Sequence, residues 1–118
     1  MVAGDDLAGA GISRTRAGGG PQFAAAARVF ALLSDPTRLR LMWVLARGEA
    51  DVSTLTAASG AARPAVSQHL AKLRAAGLVQ ARKDGRRALY TLRDGRTGPF
   101  LNEALRHASR VPGPRHRD

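Results

Sequence analysis

The 118-residue chain has no cysteine, so disulfides, thiolate metal centres and thiol redox chemistry are all excluded. Aromatic residues are scarce, with three Phe, one Tyr and one Trp, so any core has to be built from Leu, Val, Met and Ala. Acids are also few, nine against nineteen basic residues, and only Lys72 and Lys83 are lysines. The formal net charge is +10 and the sequence pI about 11.7. Such a balance favours a polyanionic partner, nucleic acid before a membrane. No run is apolar and long enough to cross a bilayer. Asp5 and Asp6 stand where a secretion signal would carry cations, and no apolar segment follows them. The expected location is therefore the reducing cytoplasm, with no membrane partner.

What is present is concentrated between residues 63 and 96. Nine Arg or Lys face two Asp there, a net +7. Within it, Arg63 to Leu73 reads R-P-A-V-S-Q-H-L-A-K-L. Val66, Leu70 and Leu73 fall at i, i+4 and i+7 and predict one buried helical stripe. Pro64, Gln68, Ala71 and Lys72 take the opposite side, flanked by Ser67 and Arg63. A face of small, amide and cationic groups suits a groove lined with base edges and phosphates. Pro64 fits the first turn of this helix, predicted over 64–76, and Gly77 fits its end. A basic-tipped hairpin follows over 79–92. Asp84-Gly85 is its turn signal, Ala88, Tyr90 and Leu92 alternate as strand residues do, and Arg82, Lys83, Arg86 and Arg87 surround the tip. A polar-faced helix followed directly by a basic hairpin is the order of a winged helix-turn-helix.

The rest of the chain fits around that pair. Residues 1–20 are rich in Gly and Ala and lack periodicity, so they are expected to be a disordered tail. Arg14 and Arg16 there could touch DNA as a flexible arm, but the favoured expectation is a solvated tail. A domain over 21–111 follows. Its first helix, Gln22–Ser34, lines Phe23, Ala26, Ala27, Phe30 and Leu33 along one face. Asp35-Pro36 is a preferred cap and first-turn pair for a second helix. That helix is apolar from Leu39 to Ala46 except at Arg40, which predicts a central position with Trp43 in the core. A short third helix spans Asp51–Ser59, capped by Asp51 or Ser53 with Leu55 inward, and Gly60-Ala61-Ala62 turns into the 64–76 helix. A last helix begins at Gly98-Pro99, with Leu101, Ala104, Leu105 and Ala108 in one stripe. Residues 112–118 form a flexible basic tail. The fold class is mainly α with a small β-hairpin: five helices and a two-stranded wing. A domain this small has a limited core, and dimerisation would supplement it.

The segments L-L-S-D-P-T-R-L-R-L (32–41), A-V-S-Q-H-L-A-K-L-R-A-A-G-L-V (65–79) and D-G-R-R-A-L-Y-T-L (84–92) resemble the ArsR/SmtB family of bacterial winged-helix regulators. The resemblance extends from about Phe23 onward. It implies a homodimer on palindromic double-stranded operator DNA, commonly a repressor. Dimerisation through the first and last helices would use Phe23, Ala27, Phe30, Leu101 and Leu105. Ser67, Gln68 and His69 match the positions that meet bases. Gln68 also has the best helical angle for pairing with adenine, whereas His69 lies toward the core flank. Arg63, Lys72, Lys83, Arg86 and Arg87 are expected at the DNA backbone or minor groove.

The chain departs from thiolate sensors of that family, since Asp51-Val52-Ser53-Thr54 stands where they carry a cysteine pair. It is most similar to the actinobacterial nickel/cobalt branch, whose ligands are His and carboxylates near the last helix. The matching groups here are Asp94, Glu103, His107 and His116, a sparse set beside several arginines. Glu103 and His107 are i, i+4 and can share a nickel, cobalt or zinc ion, or can be a solvated pair. No cofactor is required. A second reading is thus a metal-responsive sensor, and a third is a DNA-binding subunit that takes its signal from a co-regulator protein. No enzyme is expected: Ser67 and His69 are i, i+2 and do not face each other.

Overall fold

The computed structural model describes residues 19–113. The expected tails over 1–20 and 112–118, with Arg14, Arg16 and His116, lie wholly or mostly outside that range. The chain divides into two units, residues 1–35 and residues 36–118.

In the first unit, α1 spans Gly19–Leu33. It begins three residues before the predicted start, because Pro21 falls in the opening turn, where its missing N–H removes no helical bond. Phe23 is 74% exposed and Phe30 59%. Ala27 is exposed as well.

The second unit holds α2 (Pro36–Leu45), β1 (Ala50–Asp51), α3 (Val52–Ser59), α4 (Arg63–Ala75), β2 (Val79–Asp84), β3 (Arg87–Leu92) and α5 (Thr97–Arg110). Leu41, Met42 and Leu45 of α2, Leu55 of α3, and Val66, Leu70 and Leu73 of α4 are buried, as are Val79, Leu89 and Leu101. Full burial of a side chain of this kind contributes about 1.5–3 kcal/mol, so α4 is held chiefly through its predicted i, i+4, i+7 stripe. It packs on α2, α3 and β2. Its C-terminus closes with Leu78 N–H donating to Leu73 O (3.0 Å) and Gly77 N–H to Arg74 O (3.0 Å). Gly77 has φ +80°, which a Cβ would disfavour. That closure turns the chain sharply from α4 into β2, so the hairpin stands beside the helix.

Four expectations change. The wing is part of a three-stranded antiparallel sheet of order β1-β3-β2. β1 is two residues long and exists through its pairing with β3, Ala50 opposite Tyr90 and Asp51 opposite Leu89. The tight turn is shifted by one residue: Asp84 pairs with Arg87, and Gly85, at φ +64°, and Arg86 form the loop. Trp43 is not in the core; it is 37% exposed, with the Arg47 guanidinium 5.2 Å from its ring centroid. Leu101, expected at a dimer interface, is 1% exposed within the single chain and belongs to the core. Gly98, at the start of α5, packs close to Ala46 just past α2; a Cβ there would lie 3.4 Å from Ala46 Cβ, a near-ordinary contact.

Candidate nucleic-acid interface

The α3–turn–α4 pair is built by its caps. Asp51 Oδ1 accepts from Thr54 N–H at 2.8 Å, opening α3. Gly60, at φ +75°, closes it, and its N–H donates to Thr56 O. Three residues later α4 begins. With its stripe buried, the opposite face of α4 is turned to solvent: Pro64, Ser67, Gln68, Ala71 and Lys72 are all exposed. Arg63, at the first turn, donates from Nη1 to Ser53 Oγ at 3.0 Å, which ties the two helix starts together. His69 sits at the edge of this face, half-buried, and its Nδ1 lies 3.2 Å from Arg38 Nη1 of α2.

Two clefts separate α4 from the sheet. One, of about 290 Å³, lies among Asp51, Ser53, Arg63, Arg86, Arg87 and Ala88. The other, of about 460 Å³, is lined by Ser67, Ala71, Arg74, Ala75 and Tyr90. The sequence marks Tyr90 only as a strand residue and gives Arg74 no role. Arg74 lies near the buried stripe in helical angle, and Tyr90 is legible only once the sheet is seen beside α4.

The basic residues of the wing are not equivalent. Arg82 forms a two-pronged pair with Glu49, Nε to Oε2 at 2.8 Å and Nη2 to Oε1 at 2.9 Å. Arg87 reaches Asp51 Oδ2 at 3.2 Å and Asp84 Oδ2 at 3.0 Å. Among the described residues, Lys83 and Arg86 form no ion pair. The Thr54 backbone N–H, then the Thr54 side chain and the Arg87 guanidinium, hold the Asp51 carboxyl below the usual carboxylate range. Arg82 is raised by Glu49 and Arg87 by Asp84 and then Asp51, so both stay charged.

Among the described residues, the metal-ligand candidates Asp94, Glu103 and His107 are not gathered into a three-ligand group. Asp94 is engaged by Arg96, from the backbone N–H at 2.8 Å and the guanidinium at 3.1 Å, which lowers its pKa. Glu103 accepts from Arg106 Nη2 at 2.6 Å. His107 is exposed on α5, and His116 lies outside the described residues. Among those residues, no three His, Asp or Glu side chains are grouped to hold a metal ion.

Comparisons with known proteins agree with this geometry. The family described as "Bacterial regulatory protein, arsR family" matches residues 35–81. Over 90 residues the chain is 42% identical to the HTH-type transcriptional regulator KmtR of Mycobacterium tuberculosis, covering 75% of this chain and 69% of that protein. Over 97 residues it is 35% identical to a probable mercury resistance operon repressor of Streptomyces lividans, covering 74% and 78%. Among solved structures it is similar to the homodimeric winged helix-turn-helix DNA-binding domain of a possible ArsR-family transcriptional regulator from Mycobacterium bovis. The TM-score is 0.71 at 26% identity, over 83% of this chain and 91% of that one. With the winged helix-turn-helix order, the polar outer face of α4 and the basic hairpin already in place, the chain belongs to the ArsR family and is a DNA-binding transcriptional regulator.

Proposed function

We propose that this protein is a homodimeric repressor that sets α4 of each copy into the major groove of a palindromic operator and rests each wing on flanking backbone or minor groove. The observation that carries the reading is the exposed Ser67/Gln68/Lys72 face of α4 beside Lys83 and Arg86 of the wing, which form no ion pair among the described residues. Gln68 pairs bidentately with an adenine edge, and Ser67 contacts the neighbouring base. Arg63 and Lys72 hold phosphates on either side of the groove, with Lys83 and Arg86 doing so from the wing. Such contacts fix the register without reading sequence. His69 steadies α4 against α2 through Arg38 at the rim of the groove.

The dimer forms through α1 and α5. Phe23, Phe30 and Leu105 support this, because each leaves a large apolar side chain at the surface, Leu105 at 39% exposure. The similar Mycobacterium bovis domain is homodimeric, which supports the dimeric state itself. The protein acts in the cytoplasm, where the chromosome is. A metal-responsive role lacks an assembled ligand set among the described residues, and a co-regulator protein remains the alternative source of a signal.

Selection of duplexes from a random pool by the full chain tests the reading. A palindromic consensus is expected, bound by a dimer and repressing a reporter placed downstream. Recovery of unrelated duplexes only, with binding governed by salt alone, would overturn it.

A further inference from the structure

The two ion-pair groups of the wing explain a weakness in its architecture. β2 and β3 are each six residues long, but β1 supports only two rows of the sheet, the outer one being Asp51–Leu89–Arg82. Beyond it, the rows Lys83–Ala88 and Asp84–Arg87 have no third strand. A two-stranded ribbon is marginal in water, and this one carries the cations that have to meet DNA at a defined angle.

The ion pairs sit at that boundary. Arg82, in the last supported row, joins Glu49, which lies just before β1, through two parallel bonds. A planar guanidinium on a planar carboxylate fixes direction as well as distance. Arg87, one residue past the loop, reaches back to Asp51 and to Asp84. Asp51 meanwhile keeps its other oxygen on the first turn of α3. One carboxylate thus connects the third strand, the helix before α4 and the wing tip.

Glu49 and Asp51 are also the wrong sign for the surface they occupy. On a protein that meets a polyanion, a carboxylate beside the contact surface opposes association. Exposed ion pairs contribute little to global stability, so stability gives little reason for them. We propose that Glu49 and Asp51 are positioning residues, which act through Arg82 and Arg87 to fix the angle of the wing against α4, while Lys83 and Arg86 carry the wing's contacts to DNA. The inference rests on the wing being a DNA-contacting element.

The sign of one substitution separates this from simple electrostatics. Full-length chains are compared by anisotropy on the duplex selected from a random pool and on a scrambled duplex, across a potassium chloride series. Glu49→Gln removes an acid, so charge alone predicts tighter binding to both duplexes. Positioning predicts roughly fivefold weaker binding to the selected duplex, unchanged binding to the scrambled one, and an unchanged salt slope. Arg82→Lys, which keeps the charge and loses the fork, is expected to match Glu49→Gln, and it serves as the reading should Glu49→Gln fold poorly. The exchange Glu49→Arg with Arg82→Glu is expected to recover most of the loss. Tighter binding of Glu49→Gln to both duplexes would overturn the inference, as would wild-type binding by Arg82→Lys together with a salt slope reduced in Arg82→Gln. If wild type selects no duplex at all, the DNA reading fails first and the inference with it. A selected duplex bound equally by wild type and Glu49→Gln sinks the inference alone.

Discussion

Arg86 offers the most direct quantitative test of the wing. It lies in the two-residue loop of the hairpin and is exposed, and no carboxylate neutralises it among the described residues. Its charge is therefore available to displace a counterion from DNA. In a homodimer, Arg86→Gln removes two such contacts. The slope of log K against log salt changes by about 0.9 per contact on B-DNA, so it is expected to become shallower by about 1.8. Between roughly 50 and 200 mM salt that difference corresponds to about a twelvefold change in the ratio of wild-type to variant affinity. The deficit of the variant is thus large at low salt and shrinks as salt rises. Because phosphate contacts carry no sequence information, selected and scrambled duplexes are expected to lose affinity alike. Fluorescence anisotropy of labelled duplexes across a potassium chloride series reads both quantities. An unchanged slope would refute the wing assignment even if affinity fell, because the loss would then come from folding or positioning.

Other consequences follow from the same geometry. Gln68→Ala is expected to relax preference at one base pair per half-site, costing roughly 1–3 kcal/mol on the selected duplex and little on others; competition with single-position duplex variants measures this. Leu70, fully buried in the α4 stripe, is expected to cost about 2–5 kcal/mol of stability on truncation to Ala, read by urea denaturation. Leu105→Asp places a charge on the exposed apolar face of α5 and is expected to shift the chain to monomer in sedimentation. Trp43 and Leu105 line one cavity of about 410 Å³, so the single tryptophan's emission is expected to shift to the red in that variant. The Asp51 and Asp94 carboxyls are held below the ordinary carboxylate value of 3.8. Their contribution to stability is full above that value and is lost as pH falls through the lowered folded-state values. Asp51→Asn, whose amide oxygen can still cap α3, is expected to flatten the acid side of a melting-temperature profile; an unaltered acid side would contradict the attribution.

Much of this fold is written in local signals. Asp35-Pro36 marks the start of α2, the 66/70/73 stripe orients α4, and Gly77 and Gly85 mark a helix end and a hairpin turn. Each acts within a few residues, so the chain order reveals it. What the sequence conceals depends on partners far along the chain. β1 is too short to show a strand pattern and is created by β3, some forty residues later. Trp43 sits in a helix apolar on most sides, and composition alone cannot tell which side faces inward. Leu101 and Leu105 share one stripe on α5, yet the first is buried and the second is at the surface. The wing's arginines look alike in sequence, but Glu49 and Asp51 claim Arg82 and Arg87 across separations of 33 and 36 residues. The exposed face of α4 was legible because a single helical period fixes it. Which wing cations are paired within the chain was not, because that depends on tertiary contacts.

The central claim is that two copies present α4 to one duplex at a fixed spacing. Hydroxyl-radical footprinting of the selected duplex measures that spacing directly. Two protected segments related by a dyad, with centres about one helical turn or a whole number of turns apart, are predicted. A single protected segment occupied by one copy, or uniform protection along the duplex, would contradict it.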